Sequence, residues 1–200
     1  MDLTQGTEKE KRDRAKKMML WFGIISLIMS FAGLTSAVII RSREEDWING
    51  FELPSAFAIS CLAVIISSIT FFLARRMMKS DKKELTSVLL VATFLLGIFF
   101  IYNQFKGFQQ IIDAGYHFTG PSSSVTTSFI YVIAMLHIAH VVAGLISITV
   151  VLVKNFMGKY SSKNMLGIEL SENFWHFVGM LWIFLFLFLN YFEEIIAFFN

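Results

Sequence analysis

Residues 128–154, SFIYVIAMLHIAHVVAGLISITVVLVK, decide the fold. This run is long enough to cross the roughly 30 Å hydrocarbon core of a bilayer, which takes about 20 residues of helix. His137 and His140 stand at its centre, and an ionisable side chain at that depth is costly unless it faces protein or water. At about 100° per residue, His137, His140, Gly144 and Ser147 fall within an ~80° sector, while Leu, Ile and Val cover the rest of the helix. The polar stripe is therefore expected to face other helices and not lipid.

Working outward, four further apolar runs lie near residues 18–40, 54–74, 85–102 and 174–191, with the central run placed at 125–153. The chain of 200 residues is 56% hydrophobic with a mean hydropathy of +0.64 and carries 22 Phe but only 2 Pro, a balance foreign to soluble domains. The runs lack the two-residue alternation of outer-membrane barrels, and helices are the other spanning solution. An all-α polytopic membrane protein, a bundle of five transmembrane helices, is the expected fold. The first run exceeds the roughly 7 to 15 residues of a signal-peptide core and ends at Arg41, so it reads as a retained span. Cys61 is the single cysteine; it excludes an internal disulfide and reads as a small buried side chain. A net charge of +2 offers no case for nucleic acid as a partner.

Of the 17 Lys and Arg, all but Arg41, Arg43 and Lys106 fall in the segment 1–17, the loop after the second run (Arg75, Arg76, Lys79, Lys82, Lys83) or the loop after the fourth (Lys154, Lys159, Lys163). These three segments share one side of a five-helix topology. The positive-inside rule then puts the N-terminus in the cytoplasm and the C-terminus across the membrane. Residues 1–17 read as an unpacked basic arm, and 193–200 as a short tail.

Two runs carry stripes of small residues: Gly23, Ser26, Ser30, Gly33 and Ala37 in the first, and Ala56, Ser60, Ala63, Ser67, Thr70 and Ala74 in the second. Such stripes let helix backbones approach closely where lipid offers no hydrophobic drive, so both are expected at helix–helix contacts. The third run places Thr86, Thr93 and Gly97 on one face and ends near Asn103 and Gln104. The loop that follows holds Gly107, Gly115, Gly120, Pro121 and Ser122 to Ser124, all turn signals, with Ser124 or Thr126 positioned to cap the fourth helix and Asp113 and His117 expected in solvent. In the fifth run Glu169, Glu172, His176 and Gly179 share a face, which suggests a hydrogen bond from His176 to a neighbouring span; an aromatic belt accounts for the outermost Trp and Tyr.

Taken together, these segments resemble subunit III of the haem-copper oxidases, the cytochrome c and quinol oxidase group. LWFGIISLIMSFAGLTSAVIIRS (20–42) resembles the family's first shared helix, with SSIT (67–70) and Leu96-Gly97 through Gln104 as weaker landmarks. SFIYVIAMLHIAHVVAGL (128–145) resembles its His-x-x-His-Val helix, and Glu169 followed by FWHFVGMLWIFLF (174–186) its Glu and Trp-His-Phe-Val signature. Two positions depart. Leu27 stands where members usually carry Glu after the Ser of the first helix, and Gly179 where they usually carry Asp. Proton handling by those two carboxylates cannot operate here. The chain looks like the five-helix form of a family that also has a seven-helix form, so the lipid-filled cleft made by the other two helices is closed by another subunit or absent.

The resemblance implies an accessory role in a bacterial plasma membrane: no haem, copper or catalytic centre in this chain, with haem and copper in partner subunits and phospholipid bound. Subunit I is the implied partner, with subunit II in the complex, membrane lipids around it and other respiratory complexes as further contacts. It supports turnover and proton uptake of an enzyme that reduces oxygen to water and pumps protons. The polar intramembrane residues His137, His140, Glu169, Trp175 and His176 are expected to be structural, and Arg75 and Arg76 to meet lipid headgroups.

Other classes fit less well. A haem b anchor of a respiratory dehydrogenase would use two of His137, His140 and His176, but the first two are neighbours on one helix and the third sits nearer its membrane boundary. Five spans divide into no inverted repeat of the kind many transporters show. No nucleophile has a base at helical spacing, which disfavours a membrane hydrolase.

Overall fold

The computed structural model describes residues 6–44, 47–48, 51, 53–118 and 124–191. The turn residues Gly120, Pro121, Ser122 and Ser123, the first five residues and the tail 192–200 lie outside it. Among the described residues are five helices, α1 (Glu8–Arg41), α2 (Ser55–Lys79), α3 (Lys83–Asp113), α4 (Val125–Phe156) and α5 (Leu166–Asn190), each long and apolar enough to cross a membrane.

The helices outrun the apolar stretches, and local chemistry explains where they begin and end. The arm is helical from Glu8 because Thr7 and Glu10 form a capping box: Thr7 Oγ1 accepts from the Glu10 amide at 3.3 Å and Glu10 Oε2 from the Thr7 amide at 2.8 Å. Helix α5 starts at Leu166, eight residues before the aromatic run, so Glu169 falls in its first turn, where a negative charge suits the helix dipole. Ser124 caps α4, its Oγ accepting from the Thr127 amide at 3.1 Å. Thr126 instead accepts from the Ile48 amide at 2.9 Å and ties the α1–α2 connection to α4.

Helices α2, α3, α4 and α5 form a square in which α2 touches α3 and α5, and α4 touches the same two. Helix α1 lies outside it against α4 and α5. The α2–α3 pair packs closely because Gly107 leaves room for the Phe57 ring, which a Cβ there would strike. The small stripe of α2 is spent on this packing: Ala56, Ser60, Ala63, Ser67 and Ala74 are buried, and Thr70 shares a 2.8 Å hydroxyl hydrogen bond with Thr93 of α3. Asn155 of α4 closes another edge, donating to Ser87 Oγ at 2.8 Å and to the Lys83 carbonyl at 3.3 Å.

The stripe of α1 behaves differently from its expected role. Gly23, Ser26, Ser30 and Gly33 are exposed, and a Cβ added at either glycine would meet nothing within 4 Å. The face buried is Ile24, Phe31, Thr35 and Val38, of which Phe31 and Val38 pack with Ile133, Leu181, Leu185 and Phe188. Larger side chains fill the gap between a peripheral helix and the square, so no close backbone approach is needed and the small residues turn outward.

On the basic side, the α2–α3 turn and the α4–α5 loop are joined. Asp81, in the left-handed region at φ 54°, accepts from the Ser162 amide at 2.8 Å and from the Ser162 hydroxyl at 2.7 Å.

Candidate functional site

The polar residues of the spans form a column down the middle of the square, and α5 supplies its spine. Trp175 and Trp182 are seven residues apart, two helical turns, and so share one face. Both are buried, at 2% and 1% exposure, and neither belongs to an aromatic belt at the lipid boundary. Each reaches all three other helices of the square.

Trp175 occupies a slot that two glycines open. A Cβ at Gly97 of α3 would come within 2.7 Å of its ring, and one at Gly144 of α4 within 2.9 Å. Its Nε1 donates to Ser67 Oγ of α2 at 3.1 Å. Beside it, Ser147 of α4 donates to Ser171 Oγ of α5 at 2.8 Å. For the buried Trp175 indole N–H, the hydrogen-bond partner comes from the α2 stripe.

One layer further from the basic loops, His137 is completely buried and stacks on Trp182, centroids 5.1 Å apart and planes inclined by 30°. Phe100 and Phe31 present their edges to it at 5.8 and 6.3 Å. His140 is half-buried, with Nδ1 at 2.7 Å from the Leu136 carbonyl, so Nδ1 carries the proton and donates. The His stripe thus faces protein, as its spacing requires. Neither ring nitrogen of His137 has a hydrogen-bond partner among the described residues, and the same holds for the side-chain amide of Gln104.

At the end nearest the basic loops, the column is ionic. Arg75 of α2 donates from Nη1 to Glu172 Oε2 at 3.0 Å and from Nη2 to Glu169 Oε1 at 3.1 Å. Glu172 Oε1 lies 3.5 Å from His176 Nε2 on the next turn of α5. The Glu172 side chain is 2% exposed, whereas those of Arg75 and His176 are each 29% exposed. The link to a neighbouring span therefore runs through Glu172 and Arg75, while His176 pairs along its own helix. A forked guanidinium holding two carboxylates suits a partly buried site, where each charge needs a partner. Arg76, one residue on, points to the outer face with Phe72 and Lys79. At Gly179, where a Cβ would lie 3.2 Å from Val64 and 3.4 Å from Ser68, α5 comes close to α2.

These side chains do not fit a haem. The ring of His137 is boxed by Trp182, Phe100 and Phe31, which leaves no slot for a porphyrin plane, and His176 is held against Glu172. Among the described residues no three His, Cys, Asp or Glu side chains are grouped to hold a metal ion.

A model of the family described as cytochrome c oxidase subunit III matches residues 44–194. The chain belongs to the cytochrome c oxidase subunit III family. It is 30% identical over 184 residues to a probable quinol oxidase subunit 3 of Staphylococcus saprophyticus, covering 90% of both chains. A probable cytochrome c oxidase subunit 3 of Nocardia farcinica is 26% identical over 84% of this chain and 82% of its own. The cytochrome c oxidase subunit 3 of Pan troglodytes is 25% identical over 70% of this chain and 50% of its own. As a subunit III family member, the chain is a multi-pass membrane subunit of a haem-copper oxidase complex.

Sequence reasoning singled out His137, His140, Glu169, Trp175 and His176, and the structure sets four of them in or beside the column, with His140 on its α1-facing edge against Phe31 at 5.8 Å. It missed the two-glycine slot, the Ser67 acceptor and the role of Arg75 as the ionic hub. The i, i+7 spacing of the two Trp was the available signal for a shared inward face.

Proposed function

We propose that this chain is the non-redox accessory subunit of a respiratory terminal oxidase, packing against the catalytic subunit I, with subunit II in the same complex. It holds phospholipid, steadies the catalytic subunit and supports proton uptake during reduction of oxygen to water with proton pumping. Haem and copper reside in the partner subunits. The chain sits in a bacterial plasma membrane with its N-terminus in the cytoplasm, a reading that rests on the distribution of Lys and Arg.

The observation that carries this reading is the column itself. Its ionic and aromatic members are committed to one another: Arg75 to Glu169 and Glu172, Trp175 to Ser67, His137 to the Trp182 face. Polar groups locked in this way stabilise a scaffold. His137, His140, Glu169, Trp175 and His176 are structural in this reading, and the lost carboxylates at Leu27 and Gly179 leave proton support to charges on the basic side.

Affinity purification of the tagged chain from native membranes tests it. A copurifying partner with reduced haem bands, and faster decline of oxygen consumption during turnover when this chain is stripped off, are the expected results. A tagged chain that emerges without any haem-bearing partner refutes the accessory role.

A further inference from the structure

Several polar side chains in the spans are satisfied by a carbonyl of their own helix. Ser60 donates to Ala56 at 2.9 Å, Asn103 to Phe99 at 2.9 Å and His140 to Leu136 at 2.7 Å. Gln104 and His137 behave differently. Both are completely buried, at 0% exposure, and all the nitrogen and oxygen atoms of their side chains lack a hydrogen-bond partner among the described residues. A bare polar group is costly in any protein interior, and more so in a bundle surrounded by hydrocarbon.

The two residues belong to one layer of the square. Gln104 lies one turn from Phe100 and one turn from Phe108, so the three share a face of α3. Phe100 meets His137 at 5.8 Å between ring centroids, and Phe108 meets Tyr131 at 5.2 Å. Between Tyr131 and His137 stands the buried Ala134, which brings only a methyl group to the position on α4 opposite Gln104. The other two helices close the layer. Phe57 of α2 lies over Gly107, one turn from Gln104, which sets the buried Ser60 at the level of Gln104. Trp182 of α5 touches Phe57 and Phe100 and stacks on His137.

The atoms on offer select the ligand. A neutral imidazole has one donor and one acceptor, and a primary amide has two donors and an acceptor. The ionic layer is remote, since Glu172 stands ten residues before Trp182, about 15 Å along α5. An anion or a cation in the Gln104 layer would therefore lack a counter-charge. A small neutral molecule that donates and accepts at once suits this mixture, and that molecule is water. Buried waters make about three hydrogen bonds, to polar groups that would otherwise go bare.

We propose that Gln104 and His137 hold one ordered water between them inside the bundle. Gln104 Nε2 donates to the water, the water donates to the unprotonated ring nitrogen of His137, and the short side chain of Ala134 leaves it space. The water bridges α3 to α4 at a level where their side chains otherwise meet through aromatic rings. This site goes beyond the accessory role, which stands or falls without it.

The full chain, produced with isotope-labelled histidine and purified in mild detergent, tests the site by NMR, with His137→Phe identifying the signals of that ring. Wild type is expected to show a nuclear Overhauser cross-peak between water and the His137 imidazole. The nearly isosteric Gln104→Met should abolish it, and so should Ala134→Val, which fills the space and keeps the amide. Circular dichroism equal to wild type shows that the variants are folded. Thermal unfolding supplies a second readout. Gln104→Met and His137→Phe should each lower the ratio of folded to unfolded chain about tenfold, and the double variant should lose less than the product of the two. A wild-type ring without a water cross-peak overturns the site, whatever the variants do. A cross-peak that survives both Gln104→Met and Ala134→Val, losses that multiply in the double variant, or a direct contact between the Gln104 amide and the ring in place of water overturns it as well.

Discussion

Helices α1 and α2 carry the same kind of small-residue stripe and use it in opposite ways. The α2 stripe is buried against α3 and α5, where Ser67 accepts from Trp175 and Thr70 meets Thr93. The α1 stripe faces outward, with open space over Gly23 and Gly33. Residue size was equal in the two; position in the bundle was not. A helix inside the square has neighbours on several sides and approaches one of them closely. A helix outside it has one seam, and α1 fills that seam with Phe31, Val38 and Ile24. Small residues permit close packing, but the number of neighbours decides whether it happens.

Breaking the interior side of this comparison should have the largest effect. Arg75→Leu leaves the buried Glu172 with His176 alone, and since removing one partner of a fully buried pair costs about 3–5 kcal/mol, a loss toward the lower end is expected for this partly exposed arginine; thermal unfolding of the purified chain in detergent should show a large fall in the midpoint. A midpoint unchanged by Arg75→Leu would mean that the ionic layer is not structural. Next comes Gly107→Ala, whose Cβ would run into Phe57. Overpacking of this kind costs about 1–3 kcal/mol, read from the same unfolding curve. Trp175→Phe keeps most of the ring in its two-glycine slot and removes the hydrogen bond to Ser67. A loss near 1 kcal/mol is expected for a neutral hydrogen bond.

The exterior side should respond weakly. Gly33→Leu in α1 adds a side chain to open space, so the isolated chain should stay within about 0.5 kcal/mol of wild type. A large loss there would show that α1 seats its stripe inside the chain. The smallest effect belongs to the loop clasp. The Ser162 hydroxyl, and after it the Ser162 amide, hold the Asp81 carboxyl below its ordinary range. A carboxylate whose folded value is depressed contributes stability above its unfolded value and loses it as pH falls through the folded one. Acid titration of proteolytic nicking between 157 and 165 should therefore show protection at neutral pH that fades below the usual carboxylate range, and Asp81→Asn should remove that dependence.

Much of the fold was legible from residue order. Five apolar runs separated by charge gave five helices, and the sector holding His137, His140, Gly144 and Ser147 predicted an inward stripe, with His137 fully buried and Gly144 buried. Helix ends were less legible, since capping at Thr7 and the polar start of α5 extend helices past the apolar pattern. The candidate site was half readable. Glu169, Glu172 and His176 stood out as polar groups on one face, but their partner Arg75 sits 94 residues before Glu169 and read as a contact for lipid headgroups.

The sequence by itself determined that the chain crosses a membrane five times, which helix faces are polar and which are small, and the family through the order of its His and Trp segments. Tertiary structure alone decided which faces meet. Helical periodicity is local and sets the direction of a side chain around its own axis. Which neighbour lies in that direction depends on how five helices share space, and that arrangement gave Trp175 its slot between Gly97 and Gly144, gave Glu172 its arginine, and left the α1 stripe outside.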